Sequence, residues 1–321
     1  MQNELILSEQ SENGELILSQ NAAQFIERFL ADADIAPTTK ETYRKALRQF
    51  FLWYASRGGG DLARADILSY KQAQLSRMQA NTVGAYLSAL RSFFKWLESE
   101  KLYPNVAAGV KGVKLSNGHR KDALTPTQVG RVLETLKGST LQAKRDYALF
   151  NLLVRTGLRT IEIERANVED MRNKGAVTVL YVQGKGRSQK DEFVVLTDAA
   201  VRPIYAYLAA RRAEGREVMG PESPLFASLS TRTYGKRLVT RSLRGIVKKA
   251  LRTAGYDDAR ITTHSLRHTS ITLALLGGAS IQQAQALARH GNIGTTMIYS
   301  HALDRLNDAP EYAIGKMLDF D

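Results

Sequence analysis

At 321 residues, with 44% hydrophobic and 24% charged side chains, the chain is long enough to form two domains with separate cores. The absence of cysteine excludes disulfides, thiolate zinc sites and cysteine nucleophiles. No apolar run approaches the roughly 20 residues that span a bilayer, and the start MQNELILSEQ has no secretory signature, so a cytoplasmic protein without a membrane partner is expected.

The net charge of +13 is unevenly placed: residues 1–20 carry four acids and no bases, residues 21–120 carry 15 bases against 8 acids, and residues 121–321 carry 30 against 20. Two separately basic segments point to a polyanionic partner, because phosphate neutralisation supplies most sequence-independent affinity for DNA. A merely soluble basic protein is the alternative that charge alone leaves open.

Residues 1–20 duplicate ELILS, at Glu4–Ser8 and Glu15–Ser19, and read as a flexible tail, with a docking peptide as the alternative. Residues 21–110 then follow a helical period. Phe25, Phe29 and Leu30, followed by Tyr43, Leu47, Phe50, Phe51 and Tyr54, recur at three- and four-residue spacings. Thr38 or Thr39 is a candidate N-cap for the second helix, and Gly58–Gly60 end it; Ile67–Leu75 and Thr82–Leu97 complete a predicted four-helix bundle. Residues 111–122 are basic, polar and rich in turn formers, and read as a linker.

The second domain, residues 123–321, opens with Thr125 as N-cap and Pro126 at the first helical position. It is predicted mostly helical, with one hairpin in which Ala176–Val182 and Glu192–Leu196 flank the basic turn QGKGRSQKD. Helices follow over Asp198–Glu214 and Thr240–Ala254. The second of these sets Arg241, Arg244 and Lys248 against apolar Leu243, Ile246, Val247 and Leu251, which suits either a solvated charged face or a DNA-binding one that contacts phosphates.

The chemistry-bearing residues are concentrated late in the chain, where four of the five histidines fall within His264–His301. T-H-S-L-R-H-T, on a helix, puts His264, Arg267 and His268 within one turn. ARHGNIGTTMIYSHA sets His290 nine residues before Tyr299, and RTGLRTIEIE places Arg159 just past a helix expected to end at Gly157.

In type, order and approximate spacing these motifs resemble the tyrosine recombinase, or phage integrase, family. GLRTIEI matches its first arginine motif, QGKGR its hairpin lysine, HSLRH its histidine–arginine box, and His290 with Tyr299 its closing pattern. One departure is visible: many members carry Leu-Gly before the late histidine, where this chain has Ala288-Arg289.

The resemblance implies a mainly α fold with a small antiparallel β-sheet, built as an N-terminal four-helix core-binding domain and a mixed α/β catalytic domain. It implies that Arg159 and Arg267 clamp the scissile phosphate, that Tyr299 is the nucleophile, and that His264 takes its proton. Lys185 is then the acid for the leaving 5′ oxygen, His290 a phosphate donor, and Glu162 and His268 supports. No metal and no nucleotide cofactor is expected. The implied partner is double-stranded DNA with specific recombination sites, bound by a homotetramer on two duplexes, with Leu303–Leu318 a candidate for exchange between protomers. Type IB topoisomerases share the chemistry, and a non-catalytic architectural DNA-binding protein is the alternative from another class.

Overall fold

The computed structural model describes residues 8–10, 16–18, 20–58, 60–114, 122–184, 186–299, 314 and 317–318. It divides into two compact units, Met1–Asn117 and Gly118–Asp321, a division that falls inside the 111–122 segment.

In the first unit, strands β1 (Ser8–Gln10) and β2 (Leu16–Leu18) pair antiparallel, Ser8 opposite Leu18, and lie against helix α2. Sequence pattern alone suggested a flexible tail here. The paired strands satisfy one another's backbone groups, and the first ELILS copy contributes only Ser8, so the repeat itself is not the pairing unit.

Four helices follow: α1 (Gln20–Asp32), α2 (Pro37–Ala55), α3 (Arg64–Leu75) and α4 (Ala80–Ser99). Helix α2 starts earlier than its threonines suggest, because Pro37 sets the first helical φ and Ala36 takes the cap position; Thr38 and Thr39 lie in the first turn. The core is aromatic. Phe50 meets Tyr70 edge-on at 5.0 Å between centroids, and Phe51 meets Phe93 at 5.7 Å, all four fully buried.

In the second unit, Thr125 caps α5 (Pro126–Leu136), its hydroxyl accepting from Gln128 N at 3.2 Å while its own N–H donates to Gln128 Oε1 at 2.8 Å. The central helix α6 (Leu141–Thr156) is buried almost throughout and packs against α5, α8 (Asp198–Ala213) and α10 (Thr263–Leu276). Between α6 and α8 come the short α7 (Thr160–Arg165) and an antiparallel sheet in the order β3 (Met171–Lys174), β4 (Val177–Val182), β5 (Glu192–Leu196). The sequence pattern predicts β4 and β5 but not β3: MRNK is a short polar edge strand with no apolar alternation. Helices α9 (Thr240–Thr253) and α11 (Ile281–Ala288) complete the unit.

Arg211 fixes the loop after α8. It is fully buried and forks onto both oxygens of Glu217, at 2.6 and 2.9 Å, while donating to the Pro224 carbonyl at 2.8 Å. Removing one member of a buried pair strands the other charge. Arg211→Leu is therefore expected to destabilise this unit by about 3 kcal/mol in denaturant unfolding.

Candidate active site

Helix α6 ends at Gly157, whose φ of +60° is a left-handed cap that favours glycine. A side chain there would stand 3.2 Å from Cβ of Ser270 on α10, so the glycine also lets the two helices meet. Its carbonyl accepts a hydrogen bond from Arg267 Nη1 at 2.6 Å. Arg267, 3% exposed, also donates through Nη2 to the Ala288 carbonyl at the end of α11. One guanidinium thus joins the ends of α6 and α11 to α10.

Arg159 occupies the cap position of α7. Its backbone N–H donates to Glu162 Oε2 at 2.7 Å and its Nη1 to Glu162 Oε1 at 3.1 Å. Glu162 is fully buried and accepts a second arginine, Arg289 Nη2, at 2.8 Å. Two guanidiniums, Arg159 and Arg289, therefore bind one carboxylate, and a third, Arg267, is close enough to feel all of them. Their excess positive potential is felt by their neighbours. Arg267 is pulled down to about 10, first by burial and then by Arg159 and Arg289. His290 is pulled down to about 4, first by burial and then by Arg267, Arg159 and Arg289.

His290 is thus neutral near pH 7, and its Nδ1 pairs with Thr296 Oγ1 at 2.9 Å. Because the folded value lies below the ordinary 6.5, the unfolded chain binds a proton between pH 6.5 and 4 that the folded chain does not. Stability carried by this group is full above pH 6.5 and is lost as pH falls toward 4. Thermal unfolding of the wild type is expected to lose more stability across this window than that of His290→Gln.

Tyr299 closes a helical turn over 294–299 and packs, 6% exposed, against Ile271, Ala284 and Ala288. Burial pushes its phenol up to about 12, partly offset by Arg267. Its hydroxyl hydrogen-bonds Nδ1 of His268, whose ring lies 4.6 Å edge-on from His264. The sequence reading gives the proton-accepting role to His264 and a supporting one to His268; in the structure His268 makes this hydrogen bond, while His264 is exposed.

Lys185 lies outside the described residues. The base of its hairpin is held by Arg165 Nη1 on the Gly184 carbonyl at 2.9 Å and by Lys190 on buried Asp170 at 2.5 Å. Arg241 and Arg244 are exposed on α9, whereas Lys248 is tied within the chain to Asp257 at 2.9 Å and to the Asp258 carbonyl at 3.1 Å. Glu164 accepts both N–H and hydroxyl of Thr240, coupling α7 to the start of α9. Of the segment Leu303–Leu318, only Ile314, Met317 and Leu318 are among the described residues, and these are exposed.

Sequence pattern missed Thr296, for which spacing gives no signal, and treated Arg289 only as a departure from a family pattern. The departure itself was the signal: a long cation had replaced a glycine.

The chain is thus two-unit and mainly helical, with Arg159, Arg267 and Arg289 acting together on His290 and with Arg267 also acting on Tyr299, and its family is given by comparison with known proteins. The model of the phage integrase family matches residues 122–305, and that of its N-terminal SAM-like domain matches residues 23–103. Tyrosine recombinase XerD of Rhizobium meliloti is 30% identical over 308 residues, covering 91% of this chain and 95% of that protein. Tyrosine recombinase slr0733 of Synechocystis is 28% identical over 300 residues, covering 88% and 90%. Among solved structures, XerH site-specific recombinase in a post-cleavage complex with palindromic difH substrate superimposes with a TM-score of 0.73 at 19% identity, over 91% of this chain and 95% of that one. A lambda integrase dimer bound to a COC' core site gives 0.62 at 18% identity, over 86% and 94%. The chain belongs to the phage integrase family, the tyrosine recombinases.

Proposed function

We propose that this chain cuts and rejoins double-stranded DNA at specific sites through a 3′-phosphotyrosine on Tyr299, exchanging strands by way of a Holliday junction. The observation that carries the reading is the pairing of Arg159 and Arg289 on a single buried carboxylate close to Arg267, on a helix whose next residue, His268, holds the tyrosine hydroxyl. Such a pocket has more positive charge than its own groups neutralise, and a phosphodiester supplies the missing anion.

Oη of Tyr299 attacks the phosphorus, the bond to the 5′ oxygen breaks, and the phenolic proton passes to His268, with His264 beside it. Because the buried phenol titrates well above neutral pH, the base is needed during attack. Arg159 and Arg267 take up the charge that develops on the non-bridging oxygens, and His290, with Thr296 donating to Nδ1, presents its Nε2–H to the phosphate. Lys185 protonates the leaving oxygen. The phosphotyrosine stores the bond energy, and rejoining runs the same steps backwards as a new 5′ hydroxyl attacks the phosphorus and releases Tyr299. Arg241 and Arg244 contact flanking phosphates, joined by Lys248 once it leaves Asp257. Four protomers on two duplexes, exchanging C-terminal segments, make up the working assembly in the cytoplasm.

The test incubates the full chain, in EDTA, with nicked duplex from the flanks of its own gene, labelled at either end. A denaturing gel should show a covalent adduct that keeps the 5′-labelled fragment. An adduct on the 3′-labelled fragment would reverse the linkage, and tight binding with no adduct would favour an architectural role. On supercoiled circles carrying the same flanks, relaxation without recombinant product would indicate a topoisomerase.

A further inference from the structure

Arg289 lies in the left-handed region, φ +50° and ψ +49°, at the end of α11. Among the described residues only Lys101 shares this departure for a non-glycine side chain. A side chain in this conformation is strained where glycine is not, so what Arg289 touches must offset the strain.

Its side chain is 5% exposed, and the contacts are specific. Nη2 holds Glu162 at 2.8 Å, Nη1 donates to the Leu287 carbonyl at 2.8 Å, and Nε stands 4.0 Å from Glu192 Oε2 with no hydrogen bond of its own. Glu192 opens β5 and also receives Arg187 Nη2, from the hairpin turn, at 3.0 Å. A line of alternating charge therefore runs from Arg159 through Glu162, Arg289 and Glu192 to Arg187.

We propose that Arg289 is a positioning residue for strand cleavage: it neutralises Glu162 so that the charge of Arg159 stays available to the phosphate, and it seats the β4–β5 hairpin against the arginine pocket through Glu192.

Relative exposure supports this division of labour. Glu162 and Arg289 are both shut away from water, whereas the Arg159 side chain is 32% exposed and open to a ligand. Without Arg289 the buried carboxylate has Arg159 as its only guanidinium partner, and the pocket loses one unit of positive charge beside Arg267. The hairpin also loses its electrostatic link to the pocket, keeping Arg165 on Gly184 and Lys190 on Asp170.

The inference rests on the recombinase reading for its activity arm and carries a second arm that does not. Arg289→Gly suits the backbone conformation, and because Glu162 keeps Arg159 as a partner the variant folds, with a thermal midpoint somewhat below that of wild type. Its DNA affinity should stay within about threefold of wild type, while single-turnover cleavage of bound DNA falls by about tenfold to a hundredfold, as expected when a reacting group is misplaced. Adding Glu162→Gln should restore part of that loss by releasing Arg159, whereas a residue with a purely structural role gives no such rescue. In the second arm, amide hydrogen exchange over residues 186–191 of the DNA-free full chain should quicken in Arg289→Gly. Cleavage at the wild-type rate, or no rescue by Glu162→Gln, overturns the role toward Arg159, and unchanged exchange overturns the tether. If the wild type forms no adduct, the recombinase reading fails and the exchange measurement alone decides the tether.

Discussion

Tyr299→Phe is expected to abolish the covalent DNA adduct while leaving folding and DNA binding nearly intact. Phenylalanine keeps the ring that packs on Ile271, Ala284 and Ala288 and removes one oxygen. That oxygen is both the proposed nucleophile and the hydrogen-bond partner of His268. Losing one such bond costs about 1 kcal/mol, a shift of a few degrees in the unfolding midpoint. No other group on the ring can attack phosphorus, so the loss of adduct should be complete. DNA affinity depends on many phosphate contacts and should fall with salt along the same slope in both proteins. The measurement is a denaturing gel beside a salt-dependent binding titration. An adduct that persists in the Phe variant would place the nucleophile elsewhere in the chain, and loss of both binding and thermal stability would make the hydroxyl a structural group.

Much of this architecture is legible in the sequence because local chemistry and tertiary structure agree. The Thr125-Pro126 pair, the Gly157 stop and the period of α4 each specify their element locally, and each appears where expected. Arg267 and His268 fall on one helix by spacing alone. What escaped was set by contacts between distant segments. Strand β3 exists because β4 offers it a paired edge, not because MRNK favours extension. The tyrosine's hydrogen bond to His268 depends on how the turn over 294–299 settles against α10, and helical spacing cannot choose between two histidines four residues apart. The partners of Arg289 come from residues 127 and 97 positions earlier, beyond the reach of any local pattern. Lys248 reads as a phosphate contact on a helical wheel, but the loop after α9 brings Asp257 to it.

The second large effect is expected at Arg267, where charge and geometry can be separated. Arg267→Lys keeps a cation in the pocket but replaces a planar fork with a single ammonium. In the structure the fork spans two carbonyls, Gly157 and Ala288, which close two helices, and an ammonium on a shorter reach leaves one of them unsatisfied. Leaving a buried acceptor unpaired costs about 1–3 kcal/mol, so the variant folds with a lowered midpoint. Cleavage should suffer more. The phosphate needs donors already fixed where charge develops, and loss of one such donor slows reaction by about 100-fold or more. The guanidinium is held at about 10 by burial and by Arg159 and Arg289, only partly offset by Glu162, so it remains charged at neutral pH within an excess of positive charge. Bound phosphodiester offsets that excess, and thermal stability should rise on DNA binding more in the wild type than in Arg267→Lys. Single-turnover cleavage on saturating DNA, measured beside thermal unfolding with and without DNA, checks both halves. A Lys variant that cleaves within threefold of wild type would show that charge alone suffices and that the two-carbonyl geometry serves only to hold α6, α10 and α11 together.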